Sequence, residues 1–106
     1  KISLLPKNNW SENAFWLYTI IIDNLGEKKR NKLIDKLRDR GIECRPGFYP
    51  LHQMRPYKTF GKNSYKISEL MSYNSLSLPS SSNLKINDLD HIVDVLREEL
   101  VLLKLI

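Results

Sequence analysis

The chain reads as one small α+β domain of two layers, with an about three-stranded sheet and helices mainly on one face. Three observations carry that reading. Short stretches rich in β-formers, such as FWLYTIIID and SLSLP, alternate along the chain with segments whose apolar residues fall at helical spacing. A length of 106 residues suits one domain with one core. A domain of that size buries roughly two-thirds of the surface its unfolded chain exposes, which leaves little room for a deep, fully enclosed catalytic pocket.

In FWLYTIIID, Trp16, Tyr18, Ile20 and Ile22 alternate with Leu17, Thr19 and Ile21, and both sets suit a strand covered on at least one face. Asn24 and Gly26 break it. Leu33, Ile34 and Leu37 then fall at helical spacing from Glu27 onward, and Gly41 stands where a left-handed helix cap is expected. IECRP predicts a short strand with Ile42 and Cys44 on one face and Glu43 and Arg45 on the other. Pro46 ends it, since proline has no N–H for a ladder and pushes Arg45 toward extended geometry. Within KNSYKISELMSYN, Ile67, Leu70 and Met71 mark a short amphipathic helix. SLSLP is the third strand, stopped by Pro79, and SSSN is a linker. Asn87 is the expected cap of the last helix, with Asp88 and Asp90 in its first turn facing the positive end of the dipole. Leu89, Ile92, Val93, Leu96, Leu100 and Leu103 form its stripe.

Hydrophobic residues make up 42% of the chain and charged ones 27%, values of a folded protein and not of a disordered tail. Apolar runs such as Leu100 to Leu103 are far short of the ~20 residues that span a bilayer. The net charge of +5 is concentrated: EKKRNKLIDKLRDR carries seven basic and three acidic side chains, while residues 87 to 106 carry five acids and two bases. The excess is therefore mostly one solvated helix face, and no RNP-type aromatic pattern for stacking bases accompanies it. The single cysteine, Cys44, excludes an intrachain disulfide, and one Cys with two His is too few for a structural zinc site. A reducing, cytoplasmic setting is expected. The sequence starts at Lys1 without Met or a basic-then-apolar leader, which suggests a piece of something longer.

Chemistry concentrates in RPGFYPLHQMRPYKTFG, residues 45 to 61, with three of the five prolines, two of the four glycines, two arginines and one of the two histidines. His52 can exchange a proton near neutral pH from a loop after a strand end, or it is a loop histidine bonded to backbone. Arg45 can grip a phosphate or carboxylate with its planar fork, or pair with Glu43. Tyr49 and Tyr57 can hydrogen-bond a polar ligand or simply anchor the loop. Cys44, on the core face, reads as a buried, inert thiol, and His91 as a surface residue. Trp10 and Trp16 read as packing. Lys28, Lys29, Lys32 and Lys36 lie on the solvated helix, and Lys58, Lys62, Lys66 and Lys85 in polar loops or helix edges, so none is placed to lose its proton for Schiff-base chemistry. No Gly-rich phosphate loop, paired catalytic carboxylates or Ser/His/Asp set can be assembled. The residues alone support a ligand-contacting loop on a small domain.

The order of motifs, GIECRPGFYPLHQMRPY, a helix carrying SELM, and LSLPSSSNLKINDLDHIVDVLRE, preceded by FWLYTIII and RNKLIDKLRDRGI, resembles the C-terminal portion of the DegT/DnrJ/EryC1/StrS family over about residues 14 to 99. Its members are fold-type I, pyridoxal-phosphate-dependent aminotransferases acting on nucleotide-linked keto sugars. The resemblance implies that residues 1 to 106 are the C-terminal small domain of a longer enzyme, packed on a large cofactor domain and working as a homodimer. It implies that Arg45, Tyr49 and His52 face the sugar-nucleotide substrate or cofactor region, with an amino acid, glutamate by expectation, as donor. It also implies that the Schiff-base lysine and the residues that hold pyridoxal phosphate (PLP) lie in the large domain, so that this chain alone is inactive. A non-catalytic binding or regulatory domain, and a basic nucleic-acid-binding module, are the other readings open to the sequence.

Overall fold

A computed structural model describes residues 1 to 60 and 63 to 106. The sequence's placing of Lys62 in a polar loop falls outside the described residues. In chain order the elements are β1 (Ile2–Leu4), β2 (Tyr18–Ile22), α1 (Gly26–Asp39), β3 (Arg45–Pro46), α2 (Lys66–Asn74), β4 (Ser75–Leu78) and α3 (Ile86–Leu102). Two 3-10 turns, Leu51–Gln53 and Arg55–Tyr57, lie between β3 and α2. The sheet order is β1-β2-β4-β3, and every neighbouring pair is antiparallel.

The α+β class predicted from sequence is the one observed, with four strands in place of about three. The added strand is β1, which pairs Ile2 with Ile22 and Leu4 with Ile20 at the sheet edge. Only three residues long, it shows no sustained alternation, and only its partner reveals it.

Period-two alternation gives the sheet its two faces. Ile20, Ile22 and Leu76 point into a core completed by Leu33, Ile34 and Leu37 of α1 and Ile92, Val95, Leu96 and Leu100 of α3. Full burial of each such side chain contributes roughly 1.5–3 kcal/mol. Ile42 and Cys44 join this core as their alternation predicts. On the opposite face β4 turns Ser75 and Ser77 toward the segment that follows β3, and both serines are buried.

Other elements depart from the sequence reading for identifiable reasons. Of the strand expected over IECRP only Arg45–Pro46 pairs; Pro46 ends it as predicted while still in register with Leu76, and Gly47 N–H donates to Ser75 O at 3.0 Å. β3 is an edge strand, where a missing N–H leaves no ladder bond unmade. On α2 the expected apolar stripe is outward: Ile67 and Leu70 are exposed, and Ser72 is the buried residue. The last helix begins one residue before Asn87, and the carboxylate of Asp88 accepts from Lys85 N–H at 2.8 Å in place of an Asn87 cap. Its buried face takes in Val95, whereas Leu89 and Val93 are exposed.

Polar side chains fix α2 against α1. Asn74 Oδ1 accepts from the N–H of Gly26 at 2.8 Å, closing the start of α1 from another element. The buried guanidinium of Arg30 reaches back from α1, donating to Ser72 O near the end of α2 and to Asn31 Oδ1. Helix ends leave backbone groups without intrahelical partners, and here each helix supplies what the other lacks. This clamp sets where α2 stands beside the open face of the sheet.

Candidate functional site

A cavity of about 780 Å³ opens on the sheet face away from the core. Its floor is hydroxylic: Thr19 of β2 and Ser75 and Ser77 of β4 line it, and Thr19 Oγ1 lies 2.9 Å from Ser77 Oγ. The chain after β3 builds one wall and Ser68, Met71 and Ser72 of α2 another. Such a close approach of loop to sheet depends on Gly47. A Cβ there would stand 2.1 Å from Ser75 Oγ and 3.2 Å from Met71 O, which no side chain tolerates without movement. Pro50, buried and extended at φ −64° and ψ 128°, then leads into the first 3-10 turn. Prolines at these points cut the conformations open to the free segment and so reduce what binding must order.

All three residues that the resemblance assigned to substrate, Arg45, Tyr49 and His52, line this one cavity, together with Tyr57. They differ in how they are held. Arg45 is exposed, and its only carboxylate within reach among the described residues is Glu43 at 3.4 Å. An exposed pair of that kind is worth well under about 1 kcal/mol, so the guanidinium can exchange it for a ligand anion. Tyr49 is half-exposed. His52 is held most firmly: its side chain is 13% exposed, Nε2 lies 2.8 Å from Glu69 Oε1, and its ring centroid is 4.8 Å from that of Tyr65. Its observed partner is thus a carboxylate and not the backbone. Next to it, Gln53 Oε1 accepts from Tyr73 O–H at 2.7 Å, so two successive residues of the 3-10 turn are tied to α2 and the residue before it.

Two sequence assignments are corrected here. Trp10 and Trp16 do not pack within this chain: they are 84% and 79% exposed. The strand expected to include Trp16 starts only at Tyr18, leaving Trp16 free to stand at the cavity beside Phe48, centroids 6.4 Å apart. Glu69 and Tyr65 were missed as partners of His52. Glu69 and His52 are seventeen residues apart in sequence, so no local spacing links them.

Chemically, the cavity combines aromatic walls, a hydroxylic floor, one guanidinium and one imidazole, a set able to bind a molecule with ring faces, hydroxyls and an anionic group. Among the described residues no cysteine lines it. Cys44 lies in the core, where burial above all, and the neighbouring Glu43 charge, push its thiol up to about 11. The side chains present do not make a PLP site by themselves: among the described residues no lysine lines the cavity, and Arg45 is its one permanent cation. Lys28, Lys29, Lys32 and Lys36 are exposed on α1, and His91 is exposed on α3. Among the described residues no cluster could hold a metal ion, and no helix is long and apolar enough to cross a membrane.

The family model of the DegT/DnrJ/EryC1/StrS aminotransferases matches residues 1–97. The chain belongs to that family. Two GDP-perosamine synthases resemble this DegT/DnrJ/EryC1/StrS member in sequence. The protein of Caulobacter vibrioides is 34% identical over 84% of this chain and 24% of its own length. That of Vibrio cholerae is 33% identical over 70% of this chain and 20% of its own. The chain thus spans about a quarter of the length of the curated relatives it matches. Among solved structures, a Streptococcus pneumoniae protein assigned as a sugar aminotransferase, in its PLP form, superposes with a TM-score of 0.86 at 22% identity, covering 96% of this chain and 27% of that one. The aminotransferase TlmJ of Streptoalloteichus hindustanus gives 0.82 at 21% identity over 96% of this chain and 27% of its own. The α+β fold is therefore the fold of one part of these larger aminotransferases.

Proposed function

We propose that residues 1 to 106 are the C-terminal small domain of a cytoplasmic, homodimeric, PLP-dependent aminotransferase that transfers an amino group, from glutamate, to a nucleotide-linked keto sugar. The observation that carries this reading is the convergence of Arg45, Tyr49 and His52 on one cavity in a chain of this family. Relatives named GDP-perosamine synthases favour a GDP-linked sugar as the first substrate to try. In this reading the cavity faces a large domain of the same protein, which supplies the lysine and the phosphate contacts that the present side chains do not. Held by that domain, PLP would supply the amino-group transfer chemistry.

The chain's own residues bind and orient. Arg45 meets the diphosphate with its fork of donors. Tyr49 offers an aromatic face and a phenol, and His52 a ring nitrogen, to the sugar. The prolines hold the segment in one shape, so that little ordering entropy is lost on binding. The chain alone transfers no amino group.

The test uses the full-length protein. Purified with PLP, it should show a visible cofactor absorbance that changes when glutamate is added, and the product should carry a new amine when a GDP-, UDP- or dTDP-linked keto sugar follows. Arg45→Ala should lower kcat/KM for the sugar about tenfold or more, as expected for loss of a charge-assisted contact, and leave the change with glutamate intact. A folded full-length protein without cofactor absorbance would reject the catalytic reading and favour a binding or regulatory domain.

A further inference from the structure

The pair formed by His52 and Glu69 is asymmetric toward the cavity. His52 lines it and Glu69 does not, so the contact runs from the cavity wall back into the protein. An ionised carboxylate can only accept hydrogen bonds, so the nitrogen facing it carries the proton. That nitrogen is Nε2, 2.8 Å from Glu69 Oε1. Among the described residues the other nitrogen, Nδ1, has no hydrogen-bond partner, and no buried side-chain nitrogen or oxygen is left without one. Nδ1 is therefore open to an incoming group. The surroundings limit ring rotation: Tyr65 lies against one side at 4.8 Å and an interplanar angle of 50°, and the ring is mostly covered. A neutral imidazole protonated on Nε2 offers a lone pair at Nδ1, and one protonated on Nδ1 offers a donor there instead.

We propose that Glu69 is a positioning residue that keeps the His52 proton on Nε2, so that Nδ1 meets the bound substrate as a hydrogen-bond acceptor for a sugar hydroxyl. The inference rests on the proposed sugar aminotransferase function and extends it to a residue that does not touch substrate. It also fits the rest of the cavity. The guanidinium of Arg45 can only donate, and His52 then supplies an acceptor to complement it. Orientation by a carboxylate partner is the general way in which a histidine is restricted to one tautomer.

The test compares full-length wild type, Glu69→Gln, His52→Gln and the double variant. Proton–nitrogen NMR of histidine-labelled protein, with the His52 signal assigned by its loss in His52→Gln, should show the Nε2–H form in wild type and a mixture in Glu69→Gln, because an amide can either donate to or accept from Nε2. With a GDP-linked keto sugar as probe, Glu69→Gln should lower kcat/KM about tenfold while the absorbance change with glutamate proceeds at the wild-type rate. In the His52→Gln background the same substitution should change kcat/KM less than about twofold, since residues acting as one unit are not additive. An Nδ1–H signal for His52 in wild type would overturn the proposal whether or not Glu69→Gln folds. Equal loss of both halves of the reaction in Glu69→Gln, or loss of neither, would overturn it as well. A wild-type protein that transfers no amine to any keto sugar would instead reject the proposed function, seen before any variant is made, and the sugar-facing role of Nδ1 would fall with it.

Discussion

Cys44 and Gly47 stand three residues apart and show how differently single positions can be constrained. The Cys44 thiol is raised from 9.0 to about 11, chiefly by burial, which penalises the thiolate. A raised value means that the neutral form persists to higher pH, so alkylation of native protein should be slow at pH 8 and rise only as the pH climbs toward 11. Peptide mass mapping after iodoacetamide treatment across pH 7 to 11 reads this, and denaturant should restore the profile of an ordinary thiol. A rate that already levels off by pH 9 would place the thiol in water. Gly47 is constrained by space, since an added Cβ meets Ser75 Oγ at 2.1 Å. Gly47→Ala should destabilise by about 1–3 kcal/mol, the cost of overpacking, measured by chemical denaturation. Ser75→Ala, which removes the nearest atom, should recover part of that loss but not all, because Met71 O and Ser72 O stay 3.2 and 3.3 Å away. Cys44 was legible in the sequence because alternation alone assigned its face. Glu69 was not, since its partner is chosen by how α2 folds back over the 3-10 turn, which no local pattern encodes. Trp16 misled for the opposite reason: an aromatic next to a strand looks like core, and here the strand starts two residues later.

At the scale of elements, the helices and central strands were readable wherever an apolar period was long enough to fix a face, as in α1, α3 and β2. β1 was not, being three residues long and defined by the partner beside it, and β3 was legible as a strand ending at Pro46 but not in its length, since only Arg45–Pro46 of the expected IECRP pairs. The same distinction explains α2. Its outward Ile67 and Leu70 suggest a buried stripe, yet the helix is held by polar contacts at its end, through Asn74 to Gly26 N–H and through Ser72 O to Arg30. Those contacts place the wall of the cavity. Asn74→Ala should therefore cost about 1 kcal/mol, as for loss of a helix cap, and should also raise KM for the sugar through displacement of α2. Asn63→Ala, an exposed position before the helix, should change neither. If Asn74→Ala lowers stability and leaves KM untouched, the clamp serves α1 alone.

For the molecule as a whole, a two-layer domain with one core is legible in the apolar periodicities, while the cavity forms only where chain segments distant in sequence come together. What the cavity faces is decided by its mouth. Trp16, Phe48 and Phe60 all line it and are 79%, 75% and 82% exposed. A monomeric protein rarely leaves so many large apolar side chains clustered in water, because each would gain free energy in proportion to the area removed from solvent. Since the chain corresponds to about a quarter of its curated relatives, a further part of the same protein is the expected cover. Hydroxyl-radical labelling read by mass spectrometry should then modify Trp16, Phe48 and Phe60 several-fold less in the full-length protein than in residues 1 to 106 expressed alone. The same short chain should self-associate at micromolar concentration in sedimentation experiments, and replacing Trp16 and Phe48 by Ser should weaken that association, since neither side chain belongs to the core. Equal labelling in the two proteins would leave the aromatic mouth open to solvent and assign its rings to the ligand instead of to a neighbouring domain.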